Sequence, residues 1–183
     1  METDPNCAVA HGDADADADA IAHGHADAPP ESRTLVAVFA SPVADFLIRY
    51  GRDLGYRTTL VEPERGRVTN DEDAETTVLT ALPRTIDGDA DVVVTDHHRP
   101  ELGVLLRDAL ALKVRWVGIM GNPRHPGPHV AALKDLGVSE DDIARVHRPI
   151  GLNIGSRTPA EIAIATLAGL IADRNGKPGG FHF

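Results

Sequence analysis

Three apolar runs of strand length, at 34–40, 90–95 and 116–120, alternating with helical spacing, constrain this 183-residue chain more than any other feature. Residues 34–40 (Thr-Leu-Val-Ala-Val-Phe-Ala) are almost continuously apolar, as a strand buried on both faces requires. Ser41-Pro42 then opens a helix in which Val43, Phe46, Leu47, Tyr50 and Leu54 recur at helical spacing, with Gly55 as a natural stop. Residues 56–62 form a second strand. Strand, helix and strand within roughly thirty residues make a βαβ unit, and such a crossover implies parallel pairing. The alternation continues. A strand at 90–95 precedes a helix carrying Leu102, Leu105, Leu106, Ala109 and Leu110, and a strand at 116–120 precedes a helix carrying Val130, Leu133 and Leu136. Ser139 caps a short helix at 140–144, and 146–149 is extended again. Residues 76–82 suit a short strand or a helical turn. The expected fold is α/β: an open, mostly parallel sheet with helices on both faces, forming a single domain.

The strongest helix signal is the last. Thr158 is an N-cap, Pro159 suits the first helical position, and Glu161 stands where a capping-box acid reaches back. The loop before it carries Gly151, Asn153, Gly155, Ser156 and Arg157. Glycines let a backbone approach a ligand, and free N–H groups at a helix start favour an anion that Arg157 would clamp. The alternative is a tight connection into a buried helix, with Arg157 solvated.

Composition narrows the classes. The formal charge is −10, and residues 1–33 concentrate eight acids against a single Arg. That segment, with its Asp-Ala repeat at 13–20, reads as an acidic low-complexity tail without fixed structure. Residues 34–175 hold the domain, and 176–183 read as a flexible C-terminal tail whose Phe181 and Phe183 are candidates for docking on a partner or a twin subunit. Aromatics are scarce at 4% and no basic patch emerges, so nucleic acid is not an expected partner. No apolar run approaches the roughly 20 residues that span a bilayer, so no membrane partner is expected either. Cys7 is the sole cysteine, which excludes an internal disulfide and suits a reducing cytoplasm, the expected location.

In an open parallel sheet, ligands bind outside the carboxyl ends of the strands. The groups expected there are Ser41, Glu62, residues 95–98, Gly121 with Asn122, and the loop from Gly151 to Arg157. Glu62 stands where a dinucleotide-binding fold places its ribose-binding acid; it also reads as a solvated strand-end charge. The first turn, Ala40-Ser41-Pro42-Val43-Ala44-Asp45, has none of the glycines of a dinucleotide fingerprint, and Pro42 removes an N–H that a phosphate would use. NAD(P) in its usual pose is therefore disfavoured. Asp96, His97 and His98 put an acid beside two imidazoles, but adjacent histidines on an extended loop point apart and no third ligand is near. Neither a metal site nor a catalytic residue is assigned.

From residue 90 onward the chain resembles the C-terminal domain of the xanthine dehydrogenase accessory (XdhC/CoxI) family. The stretches that carry the resemblance are Val-Val-Val-Thr-Asp-His at 92–97, Val-Gly-Ile-Met-Gly-Asn at 117–122, Leu-Gly-Val-Ser-Glu at 136–140 and, most specifically, Pro-Ile-Gly-Leu-Asn-Ile-Gly-Ser-Arg-Thr-Pro-Ala-Glu-Ile-Ala at 149–163. Residues 34–62 match the family's opening βαβ more loosely. The resemblance implies a Rossmann-like fold and an accessory role in maturing a molybdenum hydroxylase, of the xanthine or carbon monoxide dehydrogenase type. It implies binding or delivery of molybdenum cofactor (molybdopterin) to the apo-enzyme. By the same resemblance Gly151, Gly155 and Ser156 give backbone approach, Arg157 pairs with the cofactor's phosphate, Thr95 and Asn122 hydrogen-bond it, and Asp96, Gly121 and Asn153 complete the cofactor-binding set. Three departures stand out: the glycine-free first loop, Thr95-Asp96-His97 where the family has Thr-His-Asp, and the lack of the family's N-terminal domain, which a separate chain would supply. Two other classes stay open, an NAD(P)-dependent oxidoreductase using the same edge and a cofactor-free protein-docking module.

Overall fold

The structure is a computed structural model that describes residues 13–26, 33–69, 76–86, 88–121 and 127–180. Two compact units divide the chain, Met1–Glu31 and Ser32–Phe183. In the first, α1 (Asp13–Ala22) occupies ten residues for which the composition implied no fixed structure. Alanine at every second position, the best helix former, accounts for that difference.

The second unit is a six-stranded sheet in the order β3-β2-β1-β4-β5-β6, built from β1 (Arg33–Val38), β2 (Tyr56–Val61), β3 (Thr77–Leu79), β4 (Ala90–Val94), β5 (Trp116–Ile119) and β6 (Val146–His147). Every neighbouring pair is parallel. The order in which the chain lays strands across the sheet reverses between β1 and β4, where Val38 pairs with Val94, and this is the switch point at which such sheets open a crevice. Side chains alternate across a strand, so each central strand feeds two cores. Leu35, Val93 and Trp116 meet Leu47 of α2 (Pro42–Asp53) and Ala163, Leu167 and Leu170 of α6 (Pro159–Arg174). On the other face Val36, Val38, Val92, Val94 and Ile119 meet α3 (Leu102–Ala111) and Leu133 of α4 (Pro128–Asp135), with Ile143 of α5 (Glu140–Ala144) alongside. Burying each of these Leu, Val or Ile side chains contributes roughly 1.5–3 kcal/mol. The expected open α/β sheet with helices on both faces is what forms.

The caps follow the sequence closely. Ser41 accepts from the Ala44 N–H at the start of α2, Ser139 from the Asp142 N–H at the start of α5, and Thr158 with Glu161 completes a reciprocal capping box on α6. Within residues 76–82, Thr77–Leu79 form the short edge strand β3. The first strand ends at Val38 rather than Ala40, because Phe39 turns to φ +73°.

Candidate functional site

Phe39 opens the first carboxyl-edge turn in a left-handed conformation that glycine normally takes, and it is fully buried. Such a residue persists only where its surroundings over-determine it. Its N–H donates to the Val61 carbonyl (2.8 Å), its carbonyl accepts from the Thr95 hydroxyl (2.8 Å), and its ring lies beneath the Arg99 guanidinium (4.7 Å). Glu62 closes the turn. Its Oε2 accepts from the Ala40 N–H (2.9 Å), while Oε1 accepts from the Glu64 N–H (3.0 Å) and from Arg99 (2.7 Å). The Glu62 side chain is 0% exposed and that of Arg99 11%. Glu62 is thus neither a ribose ligand nor a solvated strand-end charge: it supplies the anion that the turn holds. With Ala40 N–H taken by Glu62, Ala44 N–H taken by Ser41 and no N–H on Pro42, the turn offers a pyrophosphate little.

Thr95 ends β4 as part of this latch. It is 9% exposed, donates to the Phe39 carbonyl and accepts from the Ser41 hydroxyl (3.0 Å), so its hydrogen-bonding capacity goes to the turn. Asp96 is half-buried and turns its Oδ1 back onto the His98 N–H (2.9 Å). The rings of His97 and His98 do not point apart as a bare extended loop would have them; their centroids lie 4.0 Å apart. Burial lowers the His97 pKa, helped by His98 and by Arg148, with Asp96 and the Met120 carbonyl opposing.

Beyond β5, Gly121 gives close approach to a side chain rather than to a ligand. A Cβ there would fall 2.5 Å from Arg148 Nε, so the guanidinium lies directly on the glycine. Asn122 lies outside the described residues. Past the cis Arg148–Pro149 bond, Gly151 sits at φ +84° with its backbone against α6, where a Cβ would meet the Ala165 carbonyl carbon and the Thr166 nitrogen at 3.0 Å. The Leu152 N–H donates to the Ala165 carbonyl (2.9 Å), which seats this loop on the helix. Asn153, Gly155 and Arg157 are exposed and Ser156 half-buried. At the start of α6 the N–H groups of Arg157 (2.7 Å) and Thr158 (3.1 Å) both donate to Glu161, and those two donors hold the Glu161 carboxyl below its ordinary pKa. The anion at this helix start is therefore the chain's own.

A pocket of about 370 Å³ opens from Ala40 and Pro42 along α2, floored by Ile48, Leu60 and Val78; none of the described candidates from the sequence lines it. The residues that sequence reasoning passed over are Arg99, His129 and Arg148. Each gains its place from a contact across the sheet edge, and no spacing along the chain marks it. Phe181 and Phe183, the candidate docking aromatics, lie outside the described residues.

A doubly wound parallel sheet with its polar groups gathered at the carboxyl edge defines the Rossmann class. Within that class, the XdhC Rossmann domain model matches residues 35–170. The chain belongs to the XdhC family. It is 36% identical over 89 residues to YqeB, an uncharacterized protein of Escherichia coli K12, across 49% of this chain and 16% of that one. Its fold superposes on a xanthine dehydrogenase crystal structure from Bacillus halodurans with a TM-score of 0.63 at 21% identity, covering 80% of this chain and 45% of that one. The chain thus spans less than half the length of either relative.

Proposed function

We propose that this chain is an accessory protein for a molybdenum hydroxylase, of the xanthine or carbon monoxide dehydrogenase type, that binds or delivers molybdenum cofactor to the apo-enzyme in the cytoplasm and catalyses no reaction itself. The observation that carries this reading is the family match over residues 35–170. The carboxyl edge supports it with groups suited to a phosphate-bearing pterin: Asp96 and the His97–His98 pair after β4, the Arg148 guanidinium over Gly121, and the rim of exposed Asn153 and Gly155 with half-buried Ser156. Bound there, the cofactor would bring molybdenum redox chemistry to the enzyme that receives it; this chain's residues bind and orient. The closed β1–α2 turn gives the oxidoreductase reading no support.

A second reading, a cofactor-free docking module, is favoured by one observation. Tyr50, Leu54, Ile164, Ala168 and Ile171 line an apolar groove between α2 and α6, with Leu54 45% and Ile164 51% exposed.

Thermal shift separates these readings, because a ligand that binds only the native state raises its melting temperature. Molybdenum cofactor, its dinucleotide forms, NAD(H), NADP(H) and FAD are screened against wild type. The accessory reading expects a pterin-specific rise and co-purification with the apo-hydroxylase. A rise with nicotinamides alone hands the case to the oxidoreductase. Silence from every ligand, with hydroxylase capture retained, leaves the docking module.

A further inference from the structure

Arg148, just past β6, lies within electrostatic reach of two imidazoles at the carboxyl edge: His97, which lies beside His98 in the loop after β4, and His129 in the first turn of α4. Arg148 is the hub. Its guanidinium lies on Gly121 after β5, and its Cδ would fall 3.2 Å from a Cβ on Gly127, the N-cap of α4. The same hypothetical Cβ would sit 2.5 Å from His129 Nδ1, so the Arg148 stem and the His129 imidazole flank one glycine while the guanidinium reaches on to Gly121. A side chain at either glycine would displace them.

Two further observations point to a ligand. Gly127 provides no side-chain cap, so the start of α4 presents its partial positive charge with no acid of its own in the first turn. His129 is 94% buried by its 6% exposure, and its Nδ1, facing that N-cap, has no hydrogen-bond partner. A buried nitrogen left so carries a desolvation penalty that a ligand oxygen would relieve. Burial and the nearby Arg148 both lower the His129 pKa, and His97 is lowered by burial, His98 and Arg148, so this corner repels further positive charge. Among the described residues the acid facing it is Asp96, whose Oδ1 is turned back onto the His98 N–H. The start of α6 is different, since Glu161 already occupies the N–H groups of Arg157 and Thr158.

We propose that the corner formed by Arg148, His129 and His97 at the start of α4 is a phosphate-binding site, and that it, rather than Arg157, takes the phosphate of the chain's ligand. A phosphate dianion suits the groups present. Arg148 supplies a guanidinium charge, His129 a buried imidazole N–H, and the α4 start the backbone N–H of His129, since Pro128 has none and that of Val130 donates to the Gly127 carbonyl. Proton uptake by His97 and His129 accompanies binding, because a dianion beside an imidazole favours its charged form. The proposal deepens the accessory reading and rests on it only for what the phosphate is attached to.

The test is a titration of the full chain, followed by the histidine ring resonances in long-range ¹H–¹⁵N NMR spectra. The probes are inorganic phosphate and, separately, a pterin phosphate monoester. Saturable shifts of the His97 and His129 rings are expected with both. Tighter binding of the ester assigns the site to a ligand's phosphate, and equal binding assigns it to the free ion. Arg148→Gln should weaken binding tenfold or more and His97→Asn about threefold, while Arg157→Ala leaves it unchanged. Far-UV circular dichroism and the melting transition confirm that each variant is folded. Because His97 is only half-buried, His97→Asn keeps the test sound should Arg148→Gln fail to fold. No saturable shift in folded wild type overturns the site, as does any pattern that spares both Arg148→Gln and His97→Asn. Capture of the apo-hydroxylase is a separate readout, so the site and the accessory role fail independently.

Discussion

Two carboxylates are fully buried in this sheet, one at each end, and they do different work. Asp91 lies near the amino end of β4 and accepts from Arg115 (2.6 Å) and Arg174 (3.0 Å), which also pair with Asp173 and Asp89. It ties the last helix to the sheet through side chains alone. Glu62 lies at the carboxyl end of β2 and bonds two backbone N–H groups besides Arg99, shaping a turn that in other doubly wound sheets receives a ligand. Burial and ion pairing are therefore the same at both ends, and neither distinguishes scaffold from site. What distinguishes them is what they bond: Asp91 takes arginine side chains and fastens a helix, whereas Glu62 takes backbone N–H groups and so shapes a turn.

The comparison breaks most visibly at Asp91. Removing one partner of a buried ion pair leaves an uncompensated charge, at a cost of about 3–5 kcal/mol. Asp91→Ala leaves Arg115 and Arg174 with only their half-exposed partners Asp173 and Asp89, so its denaturant-unfolding free energy should fall by about that much. A loss under about 1 kcal/mol would show that α6 is held by its apolar face alone.

Glu62→Gln should cost less, about 2–3 kcal/mol: one amide oxygen still accepts, its NH2 confronts a donor at the other position, and Arg99 keeps only Glu101 nearby as a counter-charge. The informative control is NAD(H). If Glu62 alone closed the β1–α2 turn, Glu62→Gln would begin to bind it. Pro42 and the Ser41 cap predict no such gain, and a dinucleotide-induced melting shift in this variant would refute that account.

The smallest effect is in acid. The unperturbed imidazole value is 6.5, and both His129 and His97 are held below it. The unfolded chain therefore binds more protons than the folded one in the window just below 6.5, so stability falls as pH drops through it and is fully present above. Wild type should lose melting temperature between pH 7 and 5.5 in phosphate-free buffer. His129→Phe should flatten part of that slope, whereas an unchanged slope would mean that the acid sensitivity comes from elsewhere.

Much of the scaffold was legible in one dimension because its signals are local. Strand-length apolar runs at 34–40 and 90–95, the caps Ser41, Ser139 and Thr158, and the helix stops at Gly55 and Gly137 each depend on neighbours within a turn. Ten residues of the acidic segment were not so legible: charge argued against structure, while alanine at every second position supports α1. The candidate site was legible only as an edge. Thr95 was singled out for a ligand, yet its hydroxyl faces Phe39 and Ser41, which are more than fifty residues away in sequence. Gly151 was singled out for close approach, and the approach is real, but α6 is what approaches.

By itself, then, the sequence determined a doubly wound α/β domain, its capped helices, its family and the edge where chemistry gathers, because periodicity, capping and motif are properties of short stretches. Only the tertiary structure decided that Glu62 is an internal anion, that Phe39 takes a glycine's conformation, and that Arg148 and His129 converge on α4. A polar group's partner is set by distance in space, and at this edge the partners come from strands and loops tens of residues apart.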